Sequence, residues 1–211
     1  MKTVFIYFCK FFVFPIINLF TKRIEGKENI PQEESFILAS NHLNSFDQWF
    51  IANSLKERIK SLRFLAAMDS FAIFLQSGLM YYLAEAIVID RKKADRGTIL
   101  KKLIKSLKNK EIVVLFPEGD TNRGKKLLKG KTGVADLALR TNVPVIPFGM
   151  RRSKNPFLRI IEIGKPLYFP EEQKLMQQIG EKSEKYHSLL RRSTDEIMRK
   201  ISRLCQKTYD Y

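Results

Sequence analysis

The stretch Ser35-Phe36-Ile37-Leu38-Ala39-Ser40-Asn41-His42 decides the fold. It is an apolar run of strand length, set between polar clusters, that empties directly into Ser-Asn-His. A short run without polar alternation reads as a strand buried on both faces. Glu111 to Phe116 repeats the pattern and empties into Pro117-Glu118-Gly119-Asp120. Working outward, a helix is expected from Asp47 to Lys56, a strand from Arg63 to Ala67, and a helix apolar on nearly every face from Phe71 to Leu83. Glu85 to Ile89 reads as a strand ending at Asp90-Arg91. Asp95 to Leu107 carries Ile99, Leu103, Ile104 and Leu107 at amphipathic-helix spacing. A helix at Gly133 to Leu139, strands at Val143 to Pro147 and Leu158 to Ile163, and a terminal helix at Glu181 to Leu204 complete the alternation. These elements predict an α/β fold: a single domain with a mixed central sheet flanked by helices, plus an N-terminal membrane-associating helix. The order of strands in the sheet does not follow from the pattern. No repeat, linker or second domain is visible.

The chain of 211 residues is long enough to bury a full core without a disulfide or metal staple. With 45% hydrophobic residues, 10 Gly and 8 Pro, its composition excludes disorder and fibrous repeats. Lys and Arg exceed Asp and Glu by 16, which predicts attraction to a polyanion. Much of that excess lies in Asp90 to Lys110 and Arg123 to Lys131. Cys9 and Cys205 sit near opposite ends without metal-ligand spacing, so no metal site is expected and a reducing compartment is. Val4 to Phe20 reads VFIYFCKFFVFPIINLF, interrupted by Lys10 and Asn18 and kinked or restarted at Pro15. No small-residue cleavage site follows it. The run falls short of a bilayer span, and its phenylalanines and flanking cations suit a headgroup region. A helix dipping into one leaflet is therefore the leading reading, ahead of a spanning helix or one packed on the core. Residues 1–24 form this segment and 25–211 the folded domain, and an anionic membrane surface is the expected polyanion rather than nucleic acid.

Two strand ends carry polar chemistry, which is where α/β folds build sites. His42 is followed five residues later by Asp47. An imidazole can take a proton from an alcohol when a carboxylate holds its other ring nitrogen in the N–H form. The same two residues also fit plain capping of a strand end and a helix start. After the second strand, Pro117 and Gly119 punctuate a tight turn that can bring backbone N–H groups and Arg123 toward an anion, with Glu118 orienting those cations or binding a polar substrate group.

Asn41-His42 to Asp47, Ile87 to Arg91, Phe116-Pro117-Glu118-Gly119, and Val143-Pro144-Val145-Ile146-Pro147 occur in that order over about residues 35–150. In this the chain resembles the glycerophospholipid acyltransferases that include bacterial lysophosphatidic acid acyltransferase. The resemblance implies His42 as general base, Asp47 as its orienting partner, and Arg91, Glu118, Gly119 and Arg123 in the acceptor site. It further implies transfer of a fatty acyl group from acyl-CoA or acyl-carrier protein to a lysophospholipid hydroxyl, with no cofactor beyond that co-substrate. The expected location is the cytoplasmic face of the cell membrane, held monotopically or peripherally. No G-x-S-x-G pattern argues for an acyl-enzyme.

Besides Asn44, at a position where Ser is common, the chain departs from the family pattern in two places. Asp120-Thr121-Asn122 separates Gly119 from Arg123 where Thr-Arg is usual, and Ala66-Ala67-Met68-Asp69 holds no counterpart to a frequent lysine. The acceptor therefore need not be lysophosphatidic acid itself. The rival reading, a non-catalytic basic protein docking on membrane or nucleic acid, accounts for charge and leader and leaves the four ordered blocks unexplained. His187 is most simply a surface residue.

Overall fold

The apolar runs pair into one sheet. The computed structural model describes residues 2–67, 87–89, 95–180 and 183–211. Its strands are β1 (Thr21–Glu25), β2 (Phe36–Ser40), β3 (Leu62–Ala67), β4 (Ile87–Ile89), β5 (Ile112–Leu115), β6 (Val145–Arg152) and β7 (Arg159–Ile163). They lie in the order β1-β7-β6-β2-β5-β3-β4. Among the described strands only the β6–β7 pair is antiparallel, so the sheet is mixed. β2 occupies the middle of the order, and all five of its residues are buried, which is why its sequence shows no alternation.

Helices cover both faces. Along β2 the residues Phe36 and Leu38 join Val114, Ile146, Phe148 and Ile161 on one face. This face packs against α2 (Phe14–Leu19) and α3 (Asp47–Ser54) through Phe14, Phe50 and Ile51. The intervening residues Ile37, Ala39, Val113 and Val145 face the other way. There they meet α4 (Arg96–Lys108), α5 (Gly133–Thr141) and α7 (Glu184–Cys205), the last presenting Leu190, Ile197 and Ile201 at helical spacing.

Several boundaries differ from the sequence expectation, each for a physical reason. The leader is helical as α1 (Lys2–Phe8) and α2, joined by a π-turn at Cys9–Val13. The Phe14 N–H reaches back to Cys9 O, five residues. Pro15 has no N–H to give the preceding turn, and the wider turn absorbs that defect. The strand expected to end at Pro147 continues to Arg152. β1 and the helix α6 (Pro170–Gln178) carry half-exposed, weakly patterned sequences and escaped the reading. The helix begun at Asp47 stops at Ser54 and passes into a 3₁₀ turn at Lys56–Ser61. The expected Phe71 to Leu83 helix and Arg91 lie outside the described residues, as do all but Ile87–Ile89 of the expected Glu85 to Ile89 strand. Among the described residues no helix is long and apolar enough to cross a membrane.

Asn41 extends the sheet beyond the end of β2. Its side-chain amide donates to Met150 O at 2.9 Å and its carbonyl accepts from Met150 N at 2.8 Å, a two-point match to a backbone edge in a fully buried position. Asn41→Ala strands both Met150 groups without partners. It is expected to lower stability by about 2–5 kcal/mol, read from the urea unfolding midpoint.

Candidate active site

The C-terminal ends of β2, β5 and β6 and the start of β7 share one edge of the sheet, and the alternation of side chains continues past the strands. Counting by twos from Phe36 and Leu38 reaches His42; from Ile112 and Val114, Phe116; from Phe148 and Met150, Arg152. All three rows belong to the face covered by α2 and α3. The structure bears the count out where it can be measured: the His42 and Phe116 rings stack at 4.1 Å with 18° between planes.

His42 and Asp47 are brought together by a turn. Asp47 N–H donates to Asn44 O at 3.1 Å, and Phe46 N–H to Asn44 Oδ1 at 2.9 Å, which starts α3 at Asp47. From the first helical residue the carboxylate points back over the turn. Its Oδ2 lies 2.9 Å from His42 Nδ1 and accepts the N–H groups of Leu43 and Asn44. The spacing of five residues thus serves two purposes, since the oxygen that caps the turn also holds the ring. Asp47 is wholly buried while the His42 side chain is 18% exposed, so the ring is anchored inside through Nδ1 and stays partly open to solvent. With Nδ1–H donating to Asp47, Nε2 keeps its lone pair, the form in which an imidazole accepts a proton.

The second cluster fastens the main chain of the first. Glu118 is 3% exposed, and its carboxylate accepts from His42 N at 3.2 Å, Asn122 Nδ2 at 2.6 Å and Leu128 N at 2.9 Å. Asn122 N–H closes the loop onto His42 O at 2.6 Å. Glu118 therefore spends its oxygens inside the chain, on the backbone of the histidine and on the loop after it. Gly119 has φ +72°, in the region that favours glycine, and a Cβ there would run into the Lys131 side chain. Its N–H donates to Phe116 O at 2.9 Å to close the Phe-Pro-Glu-Gly turn. Arg123, two residues further along than the usual pattern, still reaches the histidine turn, with Nε 3.4 Å from Leu43 O.

Asn122, Arg152 and Arg159 were not singled out in the sequence. Asn122 carries no signal beyond its place after Phe-Pro-Glu-Gly. Arg152 lies on the same-face row as Phe148 and Met150, past the Pro147 at which the sequence expectation ends the strand. Cys9 and Cys205 are buried and free, and burial pushes both thiols up to about 11, so neither is an available nucleophile. His187 is exposed.

Comparison with known proteins gives the class. The acyltransferase family model matches residues 22–151, well over half the chain, and the chain belongs to that family. Mouse 1-acyl-sn-glycerol-3-phosphate acyltransferase alpha is 29% identical over 129 residues, covering 60% of this chain and 44% of that protein. The Haemophilus influenzae 1-acyl-sn-glycerol-3-phosphate acyltransferase is 28% identical over 135 residues, covering 61% and 54%. The chain thus spans about half the length of the curated relatives it matches. The crystal structure of a 1-acyl-sn-glycerophosphate acyltransferase from Thermotoga maritima shares the fold, with a TM-score of 0.58 at 23% identity over 96% of this chain and 88% of that one.

Glu118→Gln replaces one acceptor oxygen by a donor that faces backbone or amide N–H groups. Stability should fall by about 2–4 kcal/mol, and the His42 and Leu128 amides should exchange hydrogen faster than in the parent protein.

Proposed function

We propose that the chain transfers a fatty acyl group from a thioester donor, acyl-CoA or acyl-carrier protein, to a hydroxyl of a lysophospholipid such as 1-acylglycerol 3-phosphate. The observation that carries the reading is the His42 Nδ1 to Asp47 Oδ2 contact of 2.9 Å, made by a ring that is itself partly exposed. Family membership and the names of the relatives support the same chemistry. An alcohol is a weak nucleophile until its proton is removed. His42 Nε2 takes that proton as the oxygen attacks the thioester carbonyl, and the buried Asp47 carboxylate stabilises the imidazolium that forms. Collapse of the tetrahedral intermediate expels the thiolate, which takes up the proton from His42. Phe116, stacked on the ring, keeps it from turning away from this line.

The setting we propose is the cytoplasmic face of a membrane, reached monotopically or peripherally. Val4, Tyr7, Phe8, Phe11, Phe12, Ile16 and Leu19 recur at steps of three or four and are each 50% to 75% exposed, while Cys9 and Phe14 on the opposite side are buried in the core. Such a continuous apolar stripe on a soluble surface marks a contact site, and the nearby Lys22, Arg23 and Lys27 suit anionic headgroups.

His42→Ala should lower acyl transfer from labelled thioesters by about 10²–10⁴-fold in kcat while leaving vesicle binding intact; full activity in that variant eliminates His42 as the base. Replacing Phe11 and Phe12 together by Glu should release the protein from anionic vesicles in a sedimentation assay, with the folded domain's unfolding transition little changed because both side chains are exposed.

A further inference from the structure

The hairpin of β6 and β7 carries a charge arrangement that the proposed reaction has not used. Arg152 and Arg159 are directly opposed in the antiparallel ladder, so their side chains leave the sheet on the same face. That face is the one that carries His42, as the strand rows show. Two like charges set across from each other repel, and among the described residues no carboxylate pairs with either of them by contact. Arg159 is 8% exposed; among the described residues its Nε has no partner and its guanidinium bonds only to Pro156 O, at 3.1 Å, while lying 5.7 Å from the centre of the Phe50 ring. Arg152 is exposed and forms no ion pair among the described residues. The next arginine on the opposite face behaves differently: Arg151 is paired with Glu162 at 2.8 Å. The chain therefore neutralises one face of this hairpin and leaves the other cationic.

Arg123 joins them from the far side of the histidine turn, through its contact with Leu43 O. Burial pulls the Arg159 guanidinium below its usual value, Asp47 draws it back up, and Arg152 and Arg123 lower it further, the signature of three cations close together around one buried carboxylate. An arginine keeps its charge even so. The location narrows the ligand. Ser40 pairs with Phe148, which sets Arg152 one same-face step, roughly 7 Å, beyond the level of His42. A hydroxyl and a phosphate on one glycerol are a few bonds apart and fit that offset. Arg159 N–H also donates to Phe20 O at 2.8 Å, which ties the cationic hairpin to the end of the apolar leader, at headgroup depth if that leader rests on a membrane.

We propose that Arg152 and Arg159, with Arg123 across the turn, form the seat for a phosphate monoester on the acyl acceptor, beside His42. The guanidinium fork suits the bidentate oxygens of such a group, and its two negative charges relieve the repulsion across the hairpin. The proposal rests on the acceptor being a lysophospholipid. It concerns residues beyond the stretch of chain that the family model matches, since Arg152 and Arg159 follow residue 151.

Two variants test it: Arg152→Ala, at an exposed position where folding is not at stake, and Arg159→Lys, which keeps the charge and loses the fork. Inorganic phosphate should raise the thermal midpoint of the parent protein more than chloride at equal ionic strength, and both variants should lose most of that increment. In turnover, kcat/KM for 1-acylglycerol 3-phosphate relative to monoacylglycerol should fall at least tenfold, carried by the acceptor KM. Retained phosphate protection and retained acceptor preference overturn the proposal. So does a rise in the thioester KM alone, which would assign the arginines to the donor, or a loss of vesicle binding with acceptor preference intact, which would assign them to bulk lipid. Should the parent protein acylate no lysolipid at all, the proposed function fails, and phosphate protection still decides for or against the anion seat.

Discussion

A wholly buried carboxylate is costly unless it is bonded, and Asp47 gathers the His42 ring and two backbone N–H groups on Oδ2, while Oδ1 has no hydrogen-bond partner among the described residues. The consequence is geometric. Leu43 and Asn44 cannot take up other conformations without abandoning a buried charge, so the turn is fixed, and with it the direction of the imidazole. Glu118 imposes the matching constraint from the next strand by holding the His42 main-chain N–H. The histidine is thus held by its side chain and by its backbone through two different acids, one at the start of α3 and one in the turn after β5. Buried carboxylates bonded mainly to N–H groups do not depend on salt bridges, which screening would weaken.

The central sheet and the two polar strand ends were legible because the signals are local. β2 and β5 are short apolar runs whose ends are marked by Asn41-His42 and Pro117-Glu118-Gly119, and the helices with one apolar stripe followed the same logic. What was not legible depends on partners far away in sequence. A proline normally ends a strand, and Pro147 suggested such an end. Its carbonyl accepts from Gly164 N, so its nitrogen faces the same side, beyond the point where β7 pairing begins with Phe148 and Ile163. The missing N–H therefore breaks no bond in that ladder, β6 runs on to Arg152, and a site residue is carried with it.

The same limit applies to Glu118. Its position after a strand marked it as chemically interesting, but only the fold shows that its three donors come from His42, Asn122 and Leu128. The three residues between Gly119 and Arg123, where the usual pattern has one, look in sequence like a displacement of the cation. In space Asn122 uses two of its bonds to turn the loop back, to His42 O and to Glu118, and Arg123 arrives at Leu43 anyway.

One parity rule links the core to the chemistry. Side chains alternate along each strand, so the face that buries Phe36, Leu38, Phe148 and Ile161 under α2 and α3 must, at the strand ends, present His42, Arg152 and Arg159 on the same side. The leader that packs Phe14 into this face leaves Phe11, Phe12 and Leu19 outside, which places the exposed apolar stripe and the histidine on one side of the sheet. A substrate with an apolar tail and a polar head needs that adjacency, because its reacting hydroxyl sits at the boundary between the two. Had the register of β2 slipped by one residue, Asn41 would have taken the histidine's place and His42 would have faced α5 and α7, away from the leader. The bidentate bond between Asn41 and Met150 opposes that slip, so a purely structural amide sets which side of the sheet the chemistry occupies.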